Sequence, residues 1–399
     1  MKFGSSTLLS VISCLLTTTS AFQIHKTLPS PTKSSSTSLQ MVTTGPLHCR
    51  PIGIGSAAPS TVITNQDLES VVETSDEWIR TRTGISERRV LLHNSPKDED
   101  STEDDSPPET IKTLASKAAQ QALDMSGLDP ESIDLVLVAT SSPDDMFGDA
   151  TSVAASLGCK NAMAFDLTAA CSGFLFGITT AGQFLTNNDN TFNNAIVVGA
   201  DALSRWIDWS DRNSCILFGD GAGAVVLQAT EGKGDAGILG SSAHSNGLGY
   251  ENLNCAYKGS PVTVNTPQVL ELSSGSYDNL AMNGNEVYKF ATRSVPRVIK
   301  EALVAADMEV EDVDWLLLHQ ANIRIMETVA SRLGIPMEKV ITNLSKYGNT
   351  SAASIPLALD EAVRSGQVKE GDVIACAGFG AGLSWGSAIM KWGGKSVDE

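Results

Sequence analysis

The chain has 399 residues, with 28 Lys and Arg against 46 Asp and Glu, a formal net charge of −18. That length predicts about two domains or one large duplicated unit. A surface this acidic excludes general nucleic-acid binding, which needs a basic footprint. Hydrophobic residues make up 42% of the chain, enough for a sizeable core. No apolar run approaches the ~18–20 residues of a membrane-spanning helix.

Residues 1–41 contain no Asp or Glu. Lys2 precedes an apolar stretch, Leu8 to Leu16, and small residues follow up to Ser20-Ala21-Phe22. This is the three-part form of a secretory signal peptide. A Ser/Thr/Pro/Lys-rich stretch, Lys26 to Gln40, comes next and has the composition of a transit peptide. The tandem resembles the bipartite plastid-targeting leader of algae with secondary plastids. It predicts maturation near Met41 and a destination in the plastid stroma, with plain secretion as the rival reading. Without the leader, 25 basic residues face 46 acidic ones, a net −21. Seven cysteines without a C-x-x-C pair give no zinc-ribbon or thioredoxin pattern, and most read as buried thiols of a reducing compartment.

The segment Asp98–Pro108 is dense in acid and reads as a solvated surface loop. Ser106-Pro107 is expected to cap and open a helix over Ile111–Met125. Apolar, β-rich runs follow at Leu135–Thr140, Ala195–Ala200, Ala224–Leu227, Trp315–His319, Val373–Ala377 and Ser387–Trp392. A second helix is predicted over Glu286–Ala306, kinked or broken at Pro296. Strands that are apolar throughout and alternate with helices predict α/β layers.

The chain also repeats itself. Ala122-Leu123 and Ser132–Val138 recur as Ala302-Leu303 and Asp312–Leu318, shifted by 180. Val153–Gly158 recurs as Val329–Gly334, Asp166-Leu167-Thr168 as Asn343-Leu344-Ser345, and Ala195–Gly199 as Asp372–Cys376. Four matches in one order predict two copies of one unit, over 42–228 and 229–399, whose equivalent loops meet on a pseudo-twofold axis. A reactive site is expected there.

Cys171 falls in Phe165-Asp166-Leu167-Thr168-Ala169-Ala170-Cys171-Ser172-Gly173-Phe174, which reads as strand, small-residue turn, helix. A thiol at a helix N-terminus feels the positive end of the dipole, which favours its thiolate. A nucleophile and a buried thiol are both compatible with this context. His319 ends an apolar strand in His319-Gln320-Ala321-Asn322, and Asn349 lies in Tyr347-Gly348-Asn349-Thr350-Ser351-Ala352-Ala353. Each alone reads equally as a structural residue, but the repeat places all three at ends of corresponding elements. Phe218–Gly223 and Gly378–Gly386 lead into strands, whereas a dinucleotide fingerprint needs a following helix, so NAD binding is rejected.

These motifs, with Thr74-Ser75-Asp76-Glu77-Trp78-Ile79-Arg80-Thr81-Arg82-Thr83-Gly84-Ile85, resemble the 3-oxoacyl-acyl-carrier-protein synthase III family of the thiolase superfamily, over about Gly53 to Trp392. The resemblance implies a duplicated α/β fold with a five-layered α-β-α-β-α core, assembled as a homodimer. It implies a catalytic triad of Cys171, His319 and Asn349, with an oxyanion hole formed by the backbone N–H groups of Cys171 and Ala381. Many relatives have Gly where Ala381 stands, which makes its φ angle a point to check. Trp78, Arg82, Thr83 and Arg212 would contact coenzyme A, Arg324 would dock the acyl carrier protein, and Phe147, with Met146, would line the acyl pocket. The implied reaction condenses an acyl-coenzyme A with malonyl-acyl-carrier protein, without metal or bound cofactor. Both substrates are anionic, so a local patch is expected among Arg80, Arg82, Arg88, Arg89, Arg205, Arg212, Lys258, Arg293 and Arg324. A chalcone-synthase-like or hydroxymethylglutaryl-coenzyme A synthase-like activity is the alternative within the superfamily. A papain-like hydrolase shares the order Cys, His, Asn but lacks its local signature here.

Overall fold

Two mixed sheets run through the molecule. Strands in the first lie in the order Cys49–Ala57, Asp220–Ala229, Asn194–Ala202, Leu135–Ala139, Met163–Leu167. The second has the order Val42–Thr44, Ile238–Ser245, Ser384–Lys391, Val373–Gly380, Trp315–Leu318, Val340–Ile341. The computed structural model describes residues 42–92, 108–186, 191–231, 237–265 and 269–394. The leader and the acidic segment through residue 107 lie outside that set.

The order repeats between the sheets, and so do the directions. Leu135–Ala139 is parallel to both of its neighbours, and so is Trp315–Leu318. The next two pairings are antiparallel in each sheet. Leu135 faces Ala195, and its counterpart Trp315 faces Ile374. The register therefore equates Ala195 with Ile374, and the sequence match of Ala195 with Asp372 is two residues out.

Helices fill three layers around the sheets. Ile111–Ser126 and Ala150–Leu157 cover the outer face of the first sheet, and Gly284–Ala306 with Ile323–Leu333 covers the outer face of the second. Gly173–Thr186 and Ser354–Arg364 lie between the sheets and touch both. This is the five-layered arrangement. It explains the unbroken apolar runs, because Leu135–Ala139 is buried at every position and has no polar face to show.

One local expectation fails, and of the kink or break expected at Pro296 the break does not occur; each has a visible reason. The helix from Ile111 is capped by Thr110, whose side chain accepts from Thr113 N, and not by Ser106-Pro107. Gly284–Ala306 runs unbroken through Pro296. Proline removes the N–H that would have bonded the Thr292 carbonyl one turn back. Arg332 of the neighbouring helix supplies the missing donor, its Nη1 lying 2.7 Å from that carbonyl.

Candidate active site

Cys171 sits where Met163–Leu167 gives way to the short 3-10 turn Ala170–Ser172 and then to helix Gly173–Thr186. Its structural counterpart in the second half is the 3-10 turn Ser351–Ala353, which opens helix Ser354–Arg364. Both turns begin on a left-handed residue, Ala170 with φ 47° and Ser351 with φ 52°. The two turns face each other, and Ser351 Oγ donates to Cys171 Sγ at 3.3 Å.

His319 follows strand Trp315–Leu318, and its N–H bonds the Ala377 carbonyl at 2.8 Å. Its Nδ1 lies 2.7 Å from Ser354 Oγ, while Gln320 N donates to that same oxygen at 3.4 Å. The Ser354 hydroxyl accepts from Gln320 N and can at the same time give its hydrogen to Nδ1, the arrangement that leaves the ring proton on Nε2. The Phe379 ring packs edge-on against the imidazole, centroids 5.4 Å apart. Burial pushes the imidazole down to about 3, so it is neutral at physiological pH.

Asn349 is held on both sides of its backbone by the Phe218 turn, with Asn349 N on the Leu217 carbonyl at 2.8 Å and Gly219 N on the Asn349 carbonyl at 3.0 Å. A Cβ on Gly219 would meet the Tyr347 carbonyl at 2.2 Å, so this close approach requires glycine. The glycine-rich segment before Asp220–Ala229 thus clamps Asn349. Ser351 N donates to Asn349 Oδ1 at 2.9 Å. Its acceptor is thereby occupied, and the amide N–H₂ group is the half left to act as donor.

Cys171, His319, Asn349, Ser351 and Ala381 line one cavity of about 920 Å³, at the large end of ligand pockets. Leu203, Trp206, Leu253, Tyr277 and Val287 make its far wall apolar. Ala381 does not need a left-handed backbone, because the positive φ of that turn, 126°, falls on Gly382. Gly380 lies against the Cys171 N–H, where a Cβ would come within 2.7 Å.

The thiol is protonated at rest, although a place at a helix end favours the thiolate. Burial pushes it up to about 12; the Ser351 hydrogen bond opposes this and the nearby Asp201 carboxylate adds to it. The helix terminus favours the thiolate but does not outweigh the burial. Deprotonation has to accompany attack.

Beside the cavity, helix Asp76–Thr83 is tied to the loop after His319. Asn322, a lining residue, donates to the Arg82 carbonyl at 3.1 Å, and Arg324 Nη2 donates to the Thr81 carbonyl at 2.8 Å. Trp78 carries two guanidinium groups, with Arg82 Cζ 4.4 Å and Arg212 Cζ 4.7 Å from its ring centre. The ring and Arg212 are in direct contact. A flat group stacking between them needs two layers of about 3.5 Å each, so they must part to admit one.

Three expected residues are placed differently within this chain. Phe147 is 96% exposed and does not line the cavity of its own chain, whereas Met146, 90% exposed, reaches its rim. Thr83 is buried, its hydroxyl donating to the Ile79 carbonyl and accepting from Ile85 N, so its one hydrogen is committed within the helix end. Arg88 is wholly buried on the Ile63 and Ile216 carbonyls and Asn65 Oδ1, which removes it from any surface patch. Ser351, Ser354, Asp201 and Gly219 had drawn no role from the sequence. Among the described residues, no group of three or more His, Cys, Asp and Glu could hold a metal ion, and no helix is long and apolar enough to cross a membrane.

Two family models match the chain. That of 3-oxoacyl-[acyl-carrier-protein] synthase III covers residues 165–247, and that of the C-terminal part of the same enzymes covers 303–392. The beta-ketoacyl-[acyl-carrier-protein] synthase III of the cyanobacterium Microcystis aeruginosa is 53% identical over 341 residues, 86% of this chain and 96% of its own length. That of a Nostoc species is 52% identical, over 86% of this chain and 97% of its own. Among solved structures, 3-oxoacyl-[acyl-carrier-protein] synthase III from Aquifex aeolicus superposes with a TM-score of 0.74 at 40% identity, covering 86% of this chain and 100% of that one. With more than half the residues identical across nearly the whole of each relative, the chain belongs to the 3-oxoacyl-[acyl-carrier-protein] synthase III family.

Proposed function

We propose that this family member performs the initiating condensation of fatty-acid synthesis through Cys171, His319 and Asn349. Cys171 sulfur attacks the carbonyl carbon of acetyl-coenzyme A or another short acyl-coenzyme A, and the acyl group moves to sulfur as coenzyme A leaves. The oxyanion of this step falls to the backbone N–H groups of Cys171 and Ala381. Malonyl-acyl-carrier protein then enters. The His319 Nε2–H and the Asn349 amide donate to its thioester oxygen, which takes up negative charge as carbon dioxide departs. The resulting carbanion attacks the acyl-Cys171 carbonyl, and the bond to sulfur breaks to give 3-oxoacyl-carrier protein and the Cys171 thiolate, which takes one proton from solvent to return to the thiol. Apart from that proton, every step uses groups of this chain and its two substrates, with no resident cofactor.

The observation that carries the reading is the pairing of two uncharged donors on the cavity wall that holds the thiol. A cation there would bind the malonyl carboxylate and hold back its loss, whereas neutral donors favour charge that appears only during reaction. Trp78, Arg82 and Arg212 are read as the coenzyme A nucleotide platform and Arg324 as part of the carrier-protein contact, both next to the loop that lines the cavity.

Residues 42–228 and 229–399 are read as the two copies of the duplicated unit, and the enzyme as a homodimer. Residues 1–41 are read as a leader to the stroma of a secondary plastid, which cyanobacterial relatives suit as plastid ancestry. The reaction is tested by supplying acetyl-coenzyme A with malonyl-carrier protein or with malonyl-coenzyme A. Carbon dioxide and acetoacetyl-carrier protein are expected from the first pair alone. Turnover of malonyl-coenzyme A without carrier would favour the chalcone-synthase-like alternative, and release of acetate alone would mean a hydrolase.

A further inference from the structure

Acylation of Cys171 needs somewhere to put the thiol proton, and the described triad has no obvious place for it. His319 is a weak base, because burial holds its imidazole down to about 3, and its Nδ1 is engaged with Ser354 Oγ. Asn349 is not a base. Behind the thiol, however, stands Asp201, wholly buried near the end of strand Asn194–Ala202.

Its Oδ1 accepts from Ser141 N at 2.7 Å, Ser142 Oγ at 3.0 Å and Thr140 Oγ1 at 3.3 Å. Its Oδ2 accepts from Ala352 N at 3.2 Å and so faces the turn that carries Ser351. Ser351 Oγ lies 3.3 Å from Cys171 Sγ, and the N–H of the next residue holds Asp201 Oδ2, so the hydroxyl neighbours the carboxylate and helps to stabilise its charge. The left-handed backbone at Ser351, φ 52°, is what sets the hydroxyl between the two. Carboxylates buried this deeply usually have a cation beside them. The partners of this one are neutral hydroxyl and amide donors, and the titratable group facing it is Cys171. Burial raises its carboxyl above the ordinary carboxylate range and makes it a better base.

We propose that Ser351 and Asp201 form the proton path for acylation, with Ser351 as a catalytic residue in contact with the reacting sulfur and Asp201 as the terminal acceptor behind it. This rests on the acyl-Cys171 reading above. As the Cys171 S–C bond forms, the Ser351 hydroxyl turns its hydrogen from the sulfur toward Asp201, the thiol proton passes to Ser351 Oγ, and the Ser351 hydrogen passes to Asp201. The bond from the acyl carbon to coenzyme A sulfur then breaks. The departing thiolate leaves from that same carbon and takes the proton back through Ser351, restoring the Asp201 carboxylate. No net proton is gained or lost, in keeping with one thiol replacing another. The path also removes the negative charge that opposes sulfur ionisation at the moment the sulfur becomes anionic.

The test separates the two half-reactions. Labelled acetyl-coenzyme A is mixed with enzyme in excess, and transfer to protein is timed from pH 6 to pH 10, for wild type, Ser351→Ala, Asp201→Asn and the double variant. Enzyme loaded by long incubation at high pH is then given malonyl-carrier protein. Acetyl transfer at pH 7 should fall by about 10²–10⁴-fold in each single variant, the span of general-base effects. The double variant should lose no more, because the residues act as one path. The deficit should shrink as pH rises and solvent base replaces the path, while condensation from loaded enzyme stays within a few-fold of wild type. Wild-type acetyl transfer in Ser351→Ala overturns the proposal. So does an equal loss in both half-reactions that no pH restores, which is the mark of a merely structural turn. If Asp201→Asn does not fold, Ser351→Ala decides alone. If the wild type itself takes no acetyl label, the parent reading fails and this one with it.

Discussion

Gly199→Ala is a single methyl group placed beneath the site from the sheet side. Gly199 lies in strand Asn194–Ala202, and a Cβ there would meet the Ala352 carbonyl oxygen at 2.2 Å and Phe174 Cβ at 3.3 Å. No φ in the left-handed region is involved, so the cost is steric alone. The Ala352 backbone must retreat by about 0.8 Å to reach the 3.0 Å that real contacts respect. That backbone belongs to the turn that sets Ser351 on Cys171 and fixes the Asn349 amide through Ser351 N. Overpacking of this kind costs about 1–3 kcal/mol, partly offset by the ~0.4–1 kcal/mol that alanine gains over glycine through the unfolded chain. A displacement near 1 Å lowers a rate by about 10²-fold. Urea unfolding at pH 7 should therefore show a loss of about 1–2 kcal/mol, and acetyl transfer to protein a loss of ten- to a hundredfold. Gly247→Ala, with nothing within 4 Å of the new carbon, is the control and should leave acetyl transfer unchanged and stability equal or higher by at most ~1 kcal/mol. A Gly199→Ala enzyme with wild-type stability and turnover would refute the argument that the strand supports the turn from below.

Three other outcomes follow from the geometry. Arg332→Met should cost about 1–3 kcal/mol by orphaning the Thr292 carbonyl, and much less in a Pro296→Ala background where residue 296 regains its N–H; additive losses in urea would sink the explanation of the unbroken helix. His319 is depressed to about 3 in the fold against 6.5 unfolded, so the unfolded chain takes up a proton first as pH falls. The stability this group contributes is complete above pH 6.5 and declines below it by up to about 1.4 kcal/mol per unit. Urea titrations from pH 7.5 to 5 should show a shallower decline for His319→Gln than for wild type, and identical slopes would contradict a buried neutral ring. Trp78→Ala removes the surface on which Arg82 and Arg212 rest, and should raise KM for acetyl-coenzyme A about tenfold while leaving kcat little changed. An unaltered KM would remove Trp78 from the nucleotide platform.

Those residues of the site that end a strand or open a helix were legible in the sequence. Cys171, His319 and Asn349 each close an apolar run or a small-residue turn, and the internal repeat tied their positions together before any coordinates. What was hidden depended on partners far along the chain. Pro296 looked like a break because the donor that repairs it, Arg332, belongs to another helix. Asp201 reads as the polar end of the run Ala195–Ala200, and nothing local says that it lies behind a thiol thirty residues earlier. The one signal was an acid directly continuing a strand that is otherwise apolar throughout. Ser351 stood inside a quoted motif, yet its left-handed backbone, the feature that aims it at the sulfur, has no marker in a serine. Phe147 lies outside the cavity of its own chain, and a residue following a strand can turn toward the site or away from it with the same sequence pattern.

The most direct test of the whole account is to find where acetyl goes. Enzyme incubated with labelled acetyl-coenzyme A, digested and analysed by mass spectrometry, should carry one thioester-linked acetyl group, on the peptide containing Cys171. Adding malonyl-carrier protein should discharge it as acetoacetyl-carrier protein. Label on another residue, label persisting on Cys171→Ala, or an acetyl-Cys171 that malonyl-carrier protein cannot discharge would contradict the account.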